Sequence, residues 1–308
     1  MKVLNASEQM MFEKAVLPVV ATGRDGSFRP VGTCWVFAIG NGGALAFSAA
    51  HIFEDVVRQE GRHQRHSSST PKFFLNRPQP VALAHTYLKA VYRNAMDELL
   101  FVDILAVEYG PFSDVAICSL AFQVGTPSDI KFEKKLSLYS GPIPVGAPLC
   151  AVGYGGMEET QASFDEVNEV ATATMHKALT FEHGLCRGYF NDRGPRGAPV
   201  GPCFEIDVST NHGMSGGPIL YKKFGEEIVG CGVVSRGTSF GGDEHTMASA
   251  LWPAYALPLP RVVGGEDKQA PTMLDLARAR WLDDKADGPS HFRISEPTTD
   301  GVRQAVWI

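Results

Sequence analysis

Three short segments of this chain carry side chains that can act together on an acyl group. Leu45-Ala-Phe-Ser-Ala-Ala-His51 runs an apolar stretch into small residues and then an imidazole, which places His51 at a strand end. Pro111-Phe-Ser-Asp114-Val-Ala-Ile-Cys118 sets a carboxylate between a Gly/Pro turn and an apolar stretch. Asn211-His-Gly-Met-Ser215-Gly-Gly-Pro218 presents a hydroxyl on a glycine-rich turn. Nucleophilic acyl transfer needs a hydroxyl, a base that takes its proton, a carboxylate that orients the base, and backbone donors aimed at the developing oxyanion. Ser215, His51 and Asp114 supply the first three. Glycine at 213 lets the N–H groups of Gly213 and Ser215 converge on one point as an oxyanion hole, which a Cβ there would obstruct. Each segment alone is weak; the set is specific.

The elements that must hold these groups read as short strands. Apolar runs at 16–21, 32–39, 43–48, 73–75, 104–109, 115–120, 149–153, 169–175, 185–190, 203–208, 218–221, 227–235 and 246–251 are separated by Gly, Pro, Asn and Asp, a pattern of sandwiches or barrels. A stretch rich in Lys, Ser, Pro and Gly at 126–148 is the candidate linker, dividing the core into halves at 14–137 and 138–260. In 261–308, Thr272 and Asp275 form a helix-start signal, and Leu274, Ala277, Trp281 and Leu282 follow at helical spacing. One amphipathic helix packed on the second half is expected there, with a mobile polar tail beyond Asp287. The polar run 62–71 is expected to be an exposed flexible loop with no metal site.

Composition bounds the function. With 308 residues, 44% hydrophobic and 20% charged, the chain can bury a sizeable core, and 32 glycines with 20 prolines favour turn-rich β structure over a helix bundle. The net charge of −6 offers no global basic field for nucleic acid or anionic lipid, so neither is an expected partner. The charge is uneven: 138–260 carries 7 basic against 13 acidic residues. No apolar run approaches the ~20 residues of a membrane-spanning helix. The start lacks the apolar core and cleavage pattern of a secretory signal. Six cysteines are scattered singly through apolar segments without metal-ligand spacing, which suggests free buried thiols in a reducing, cytoplasmic setting and no zinc.

Taken together, the three segments resemble the trypsin/chymotrypsin-like serine peptidases, and among them the bacterial HtrA-type protease domain more than the digestive enzymes. Ser48-Ala-Ala-His51 is similar to the family's Thr-Ala-Ala-His, Ser113-Asp-Val-Ala-Ile117 to its Asp-aliphatic-Ala segment, and Gly213-Met-Ser-Gly-Gly-Pro218 to its Gly-Asn/Asp-Ser-Gly-Gly-Pro. Gly32-Thr-Cys-Trp-Val-Phe37 stands where the family has a Gly-Thr/Ser-Gly-Phe strand, and Gly230-Cys-Gly-Val-Val-Ser-Arg-Gly237 where its substrate-binding strand returns. The chain order His, Asp, Ser is that of a chymotrypsin-type triad. The resemblance covers about residues 14–258. It implies an all-β fold of two six-stranded antiparallel barrels, with the triad in the cleft between them and the helix following at the C-terminal end. It further implies a specificity pocket with Ser209 and Thr210 at its base and Ser235, Arg236 and Gly237 along its wall.

Departures from the family pattern carry information. Met214 stands where digestive members have the acid that pairs with a liberated N-terminus, so activation of that kind is not expected. Ile52 replaces the cysteine that bridges beside the histidine in secreted relatives, and no segment of PDZ size follows the second half. With no acid at 209, a neutral, small to medium apolar side chain is the expected occupant of the pocket, which Thr246-Met-Ala-Ser249 closes. Asp103 also precedes an apolar strand, but Asp114 follows a Gly-Pro turn and is preferred as the orienting acid. The expected activity is serine endopeptidase cleavage of a protein or peptide substrate through an acyl-enzyme, with no cofactor. Two alternatives stand: a peptide-binding scaffold without turnover, and a serine esterase, because Gly213-Met-Ser-Gly-Gly217 also fits a nucleophile elbow.

Overall fold

The computed structural model describes residues 12–23, 28–40, 42–64, 86–94, 96, 98–123, 125–157, 162–165, 170–173, 178–191, 198–222, 227–240, 243–260, 271–286, 288–296 and 303–307. Strands β1 (Val16–Gly23), β2 (Phe28–Gly40), β3 (Gly43–Ala49), β4 (Thr86–Arg93), β5 (Leu99–Tyr109) and β6 (Val115–Phe122) form a closed antiparallel barrel in the order β1-β2-β3-β6-β5-β4. A two-residue strand, β7 (Ser137–Leu138), follows, then β8 (Pro148–Gly153) and a separate hairpin of β9 (Ala162–Asp165) and β10 (Val170–Ala173). Strand β8 joins β11 (Thr180–Phe190), β12 (Cys203–Ile206), β13 (Pro218–Lys222), β14 (Ile228–Phe240) and β15 (Asp243–Ala250) in a second barrel, closed by the β13–β14 pairing. The fold is thus the expected all-β pair of six-stranded barrels. Strand β7 extends the second barrel's sheet by pairing in parallel with β14.

Barrel closure explains why several strands read as continuous apolar runs instead of alternating. On β2, Cys34 and Val36 point into the first barrel, while Trp35 and Phe37 point into a core shared between the barrels. Strand β6 divides the same way, with Ala116, Cys118 and Leu120 inside and Val115 and Ile117 at the junction. From the second barrel, Val152, Leu220 and Val233 enter the shared core. Its centre is a ring cluster in which Phe47 lies 5.1 Å from Trp35 and 4.1 Å from Phe37. Gly230 leaves room for it: a Cβ there would sit 2.5 Å from the Trp35 ring.

Among the elements not read in the sequence are a strand of the first barrel and a helix beside it. Strand β4 alternates, with Leu88, Ala90 and Tyr92 packed in the barrel core and Tyr87 exposed, a period-two signal that was present in Thr86-Tyr-Leu-Lys-Ala-Val-Tyr-Arg93. Helix α1 (Ala50–Gln64) begins directly after β3 and buries Ile52, Phe53 and Val56, while Asp55 and Arg58 pair at 3.2 Å on its outer face. The expected run at 73–75 and most of 62–71 lie outside the described residues.

The C-terminal segment is built into the core. A 3-10 turn at Trp252–Ala256 is fully buried, and α2 (Met273–Arg278) carries the expected capping box between Thr272 and Asp275. Met273, Leu274, Ala277 and Leu282 join the shared core. The helix ends at Arg278, and Arg280 takes a left-handed φ of 59°, so Trp281 turns outward and is 68% exposed, contrary to its expected place on the packed face. The mobile tail is also overturned for its described part: α3 (Gly288–His291) leads into β16 (Phe292–Ile294), which pairs with β17 (Ala305–Trp307). Phe292 stacks 5.9 Å from Trp252. Asp284 binds the segment to both sides, accepting hydrogen bonds from Ser140 Oγ at 2.5 Å, Ser140 N–H at 3.2 Å and the Tyr255 hydroxyl.

Candidate active site

His51 and Asp114 are brought together by strand register. Because β3 and β6 are antiparallel, the end of β3 lies beside the start of β6, with Ala49 opposite Val115. The next residues on each strand therefore meet. The Ala50 N–H donates to the Asp114 carbonyl at 3.1 Å, and the His51 N–H donates to Asp114 Oδ1 at 2.8 Å. That leaves Oδ2 facing His51 Nδ1 at 2.8 Å. The carboxylate is thus fixed by a backbone donor before it touches the imidazole. Strand β3 ends at Ala49, so His51 occupies the first turn of α1 just past the strand end.

Ser215 sits on the turn before β13, and that turn is anchored across the interface by Thr33 of β2. The Thr33 N–H donates to the Ser215 carbonyl at 2.8 Å, its hydroxyl donates to the Gly213 carbonyl at 2.8 Å, and the Tyr154 N–H donates to the same hydroxyl at 3.1 Å. Ser48 completes the clamp by donating to the Thr33 carbonyl at 2.7 Å. Thr33 and Ser48 are wholly buried, and sequence reading assigned neither a role; the available signal was a polar residue within each of two apolar strands. Two glycines are required at the turn. Gly213 has φ +97° and a Cβ there would lie 2.4 Å from the Tyr154 carbonyl; Gly216 has φ +87° and a Cβ would lie 2.0 Å from the Thr33 carbonyl. Backbone hydrogen bonds in the turn engage the N–H groups of Met214, Gly216 and Gly217 but not those of Gly213 or Ser215. Met214 is buried in the second barrel's core.

Ser235 links the two halves of the constellation. Its hydroxyl donates to Asp114 Oδ2, and its carbonyl accepts from Ser215 Oγ at 3.5 Å. It is 1% exposed, so its side chain is turned to the carboxylate and not to a pocket wall as read from the sequence. Among the described residues no hydrogen bond joins His51 directly to Ser215; His51 reaches Ser235 only through Asp114, and Ser215 through the Ser235 carbonyl. Of the other residues expected to form a pocket, Thr210 Oγ1 lies 3.0 Å from Thr246 Oγ1, Thr246 donates to the Val208 carbonyl at 2.8 Å, and a Cβ on Gly237 would stand in ordinary contact with Thr210, 3.8 Å from its carbonyl. Ser209 and Arg236 are exposed, and Met247 is buried. Asp103 is far from this arrangement, on β5 with Lys89 Nζ at 2.6 Å and Gln123 Nε2 at 3.5 Å.

Electrostatics poise the imidazole. Burial pushes the His51 pKa down, but the hydrogen bond and negative charge of Asp114 outweigh it, aided by Asp55 and opposed by Arg236, and the net direction is above the ordinary histidine value. All six cysteines are free and buried, and burial raises the Cys34 and Cys150 thiols to about 12, so neither is a competing nucleophile. Among the described residues no group of three or more His, Cys, Asp or Glu side chains is placed to hold a metal ion.

No protein-family model and no curated protein matches the chain. Solved structures do. The chain is similar to Deg5 at 14% identity, covering 81% of this chain and 92% of that one with a TM-score of 0.49. It is similar to the MamO protease domain of Magnetospirillum magneticum in its apo form at 13% identity, over 79% and 95% of the two chains, with a TM-score of 0.45. It is also similar to an inactive form of the Rv3671c protease at 18% identity, over 78% and 84%, with a TM-score of 0.41. At such identities and scores, what this site does has to follow from its own geometry.

Proposed function

We propose that this chain is a serine endopeptidase in which Ser215 attacks the substrate carbonyl, His51 accepts the Ser215 proton and returns it to the leaving amine, and Asp114 holds the imidazole. The carrying observation is the hydrogen-bonded series His51–Asp114–Ser235–Ser215, which spans both barrels and ends beside two N–H groups that bond to nothing among the described residues. The Asp114 contact at Nδ1 keeps the proton on that nitrogen, leaving Nε2 as the acceptor. Attack requires the Ser215 hydroxyl to leave the Ser235 carbonyl and turn to Nε2, a tightening that substrate binding commonly brings to such sites. The negative charge that develops on the carbonyl oxygen is met by the N–H groups of Gly213 and Ser215. The acyl-enzyme is then cleared by a water molecule that gives its proton to His51.

A substrate strand has an edge to lie on. The β13–β14 pairing ends with Val233 opposite Pro218, whereas β14 continues beside β15 to Phe240. Among the described residues β14 is therefore paired on one side from Arg236 onward, and its other edge starts beside Ser215, the geometry for adding an extended peptide. Beside it, the Thr210 and Thr246 hydroxyls meet at 3.0 Å, uncharged groups that support a preference for a small or medium uncharged side chain. The six free thiols fit the cytoplasmic location expected from the sequence. A nucleophile elbow would run from the serine into a helix, but Ser215 leads into strand β13, which counts against the esterase.

The Ser215 contact with the Ser235 carbonyl favours one second reading, a scaffold that binds peptide without turnover. Labelling with a fluorophosphonate probe separates the two. Covalent modification of Ser215, lost in Ser215→Ala and His51→Ala together with peptide hydrolysis, is the expected result. Hydrolysis retained by Ser215→Ala would sink the proposal, and peptide binding without labelling would establish the scaffold.

A further inference from the structure

Arg236 directly follows Ser235, the residue whose hydroxyl meets Asp114 and whose carbonyl meets Ser215. A register shift between Val234 and Arg236 turns the Ser235 side chain inward to the carboxylate, and Arg236 is left exposed at the start of the β14 edge that is unpaired among the described residues. The guanidinium is one of only 7 basic groups in 138–260, against 13 acidic ones, and its charge reaches the imidazole of His51. Two cations of the first half are already paired, Arg58 with Asp55 at 3.2 Å and Lys89 with Asp103 at 2.6 Å. Among the described residues Arg236 forms no ion pair. A cation held at the mouth of a cleft in an otherwise acidic half, with planar donors and no partner, is suited to a carboxylate arriving on the ligand.

Resting on the serine endopeptidase reading, we infer that Arg236 selects substrates carrying an Asp or Glu side chain on the residue that lies alongside it, on the acyl side of the scissile bond. Thr210, Thr246 and Gly237 offer no cation, so the acidic residue is taken by Arg236 on the strand edge and not by these neighbours. The pairing is formed at the rim, where contact with solvent keeps an ion pair modest, and the covering substrate strengthens it by excluding water. Its magnitude should shrink with salt, since exposed charges are screened over ~10 Å at 0.1 M.

The test is an internal ratio, which does not depend on how much enzyme is folded. Cleavage-site profiling of the wild type identifies the position enriched for Asp and Glu, and matched peptides with Glu or Gln at that position are compared by kcat/KM. The expected Glu/Gln ratio is about five to ten for the wild type and for Arg236→Lys at low salt, near one for Arg236→Gln, and below one for Arg236→Glu, which should instead favour a Lys-containing peptide. A ratio near one in the wild type, or an unchanged ratio in Arg236→Gln, overturns the inference. If the wild type neither cleaves nor takes the fluorophosphonate at Ser215, it is the peptidase reading that fails; labelling with an acid-independent ratio overturns only the role of Arg236.

Discussion

Replacing Asp114 with asparagine tests how the site works more sharply than deleting the side chain, because the consequence follows from three hydrogen bonds. Asp114 accepts from the His51 N–H at Oδ1, from His51 Nδ1–H at Oδ2, and from the Ser235 hydroxyl. Asparagine has one oxygen to give. The backbone N–H of His51 can only donate, so the amide oxygen must take the Oδ1 position and the NH₂ group must take the Oδ2 position, 2.8 Å from Nδ1. Nδ1 then has to be the acceptor, the imidazole proton moves to Nε2, and Nε2 can no longer receive the Ser215 proton. Ser235 can reverse its hydroxyl to accept from the NH₂ group, so the fold should hold and Tm should change by a few degrees at most. For a triad of this type the wrong tautomer costs about 10⁴ in kcat, or about 5.5 kcal/mol in the barrier. The assay is kcat on a peptide substrate together with the second-order rate of fluorophosphonate labelling at Ser215. Asp103→Asn is the comparison: bonded to Lys89 and Gln123 away from the site, it should change kcat by less than about twofold. An Asp114→Asn enzyme within tenfold of wild-type kcat, or an equal loss in Asp103→Asn, would refute the assigned roles.

Four further outcomes can be measured. Activity needs neutral His51, so kcat/KM should fall as pH drops through a value above the ordinary ~6.5, and an acid limb centred below 6 would contradict the Asp114 pairing. The same upward shift acts on stability with the opposite sense: the charged pair adds stability below the unfolded value of ~6.5 and loses it as pH rises through the folded value, so the Tm difference between wild type and His51→Gln should narrow from pH 5.5 to 8.5. Gly201 and Gly146 make a matched pair, with φ +85° and +82°, but a Cβ at Gly201 would lie 1.8 Å from the Phe112 carbonyl, two residues from Asp114, whereas at Gly146 nothing lies within 4 Å. Urea unfolding should therefore show a loss of about 1 kcal/mol for Gly146→Ala and about 3 kcal/mol or more for Gly201→Ala, the latter with reduced kcat; equal costs would dismiss the contact. Asp284→Ala leaves Ser140 and the buried Tyr255 hydroxyl without their acceptor and should cost about 2–3 kcal/mol by the same method, while a change under 0.5 kcal/mol would mean the C-terminal segment is held by its apolar contacts alone.

The residues of the site were legible in the sequence because each carries a local signature. Small residues precede His51, a Gly-Pro turn precedes Asp114, and glycines surround Ser215, where two positive φ values and two close carbonyl approaches exclude a side chain. Short apolar runs pointed to sandwiches or barrels, the motif resemblance to two barrels, and the apolar surroundings of the cysteines to buried free thiols. Helix α1 and strand β4 were missed for different reasons: α1 begins on the small residues that end β3, and β4 has a lysine and three hydroxyl-bearing residues in its eight. What amino-acid order leaves undecided is pairing at long range. Nothing local tells a threonine at 33 that it will anchor a turn at 215, or a serine at 235 that it will donate to a carboxylate at 114. Those contacts exist because two barrels close independently and then meet, each bringing backbone groups to the seam that the other must satisfy. Amino-acid order alone picked out the side chains proposed to do the chemistry. Tertiary structure decided what holds them, since a buried hydroxyl takes whichever acceptor the packing of two distant strands puts within reach.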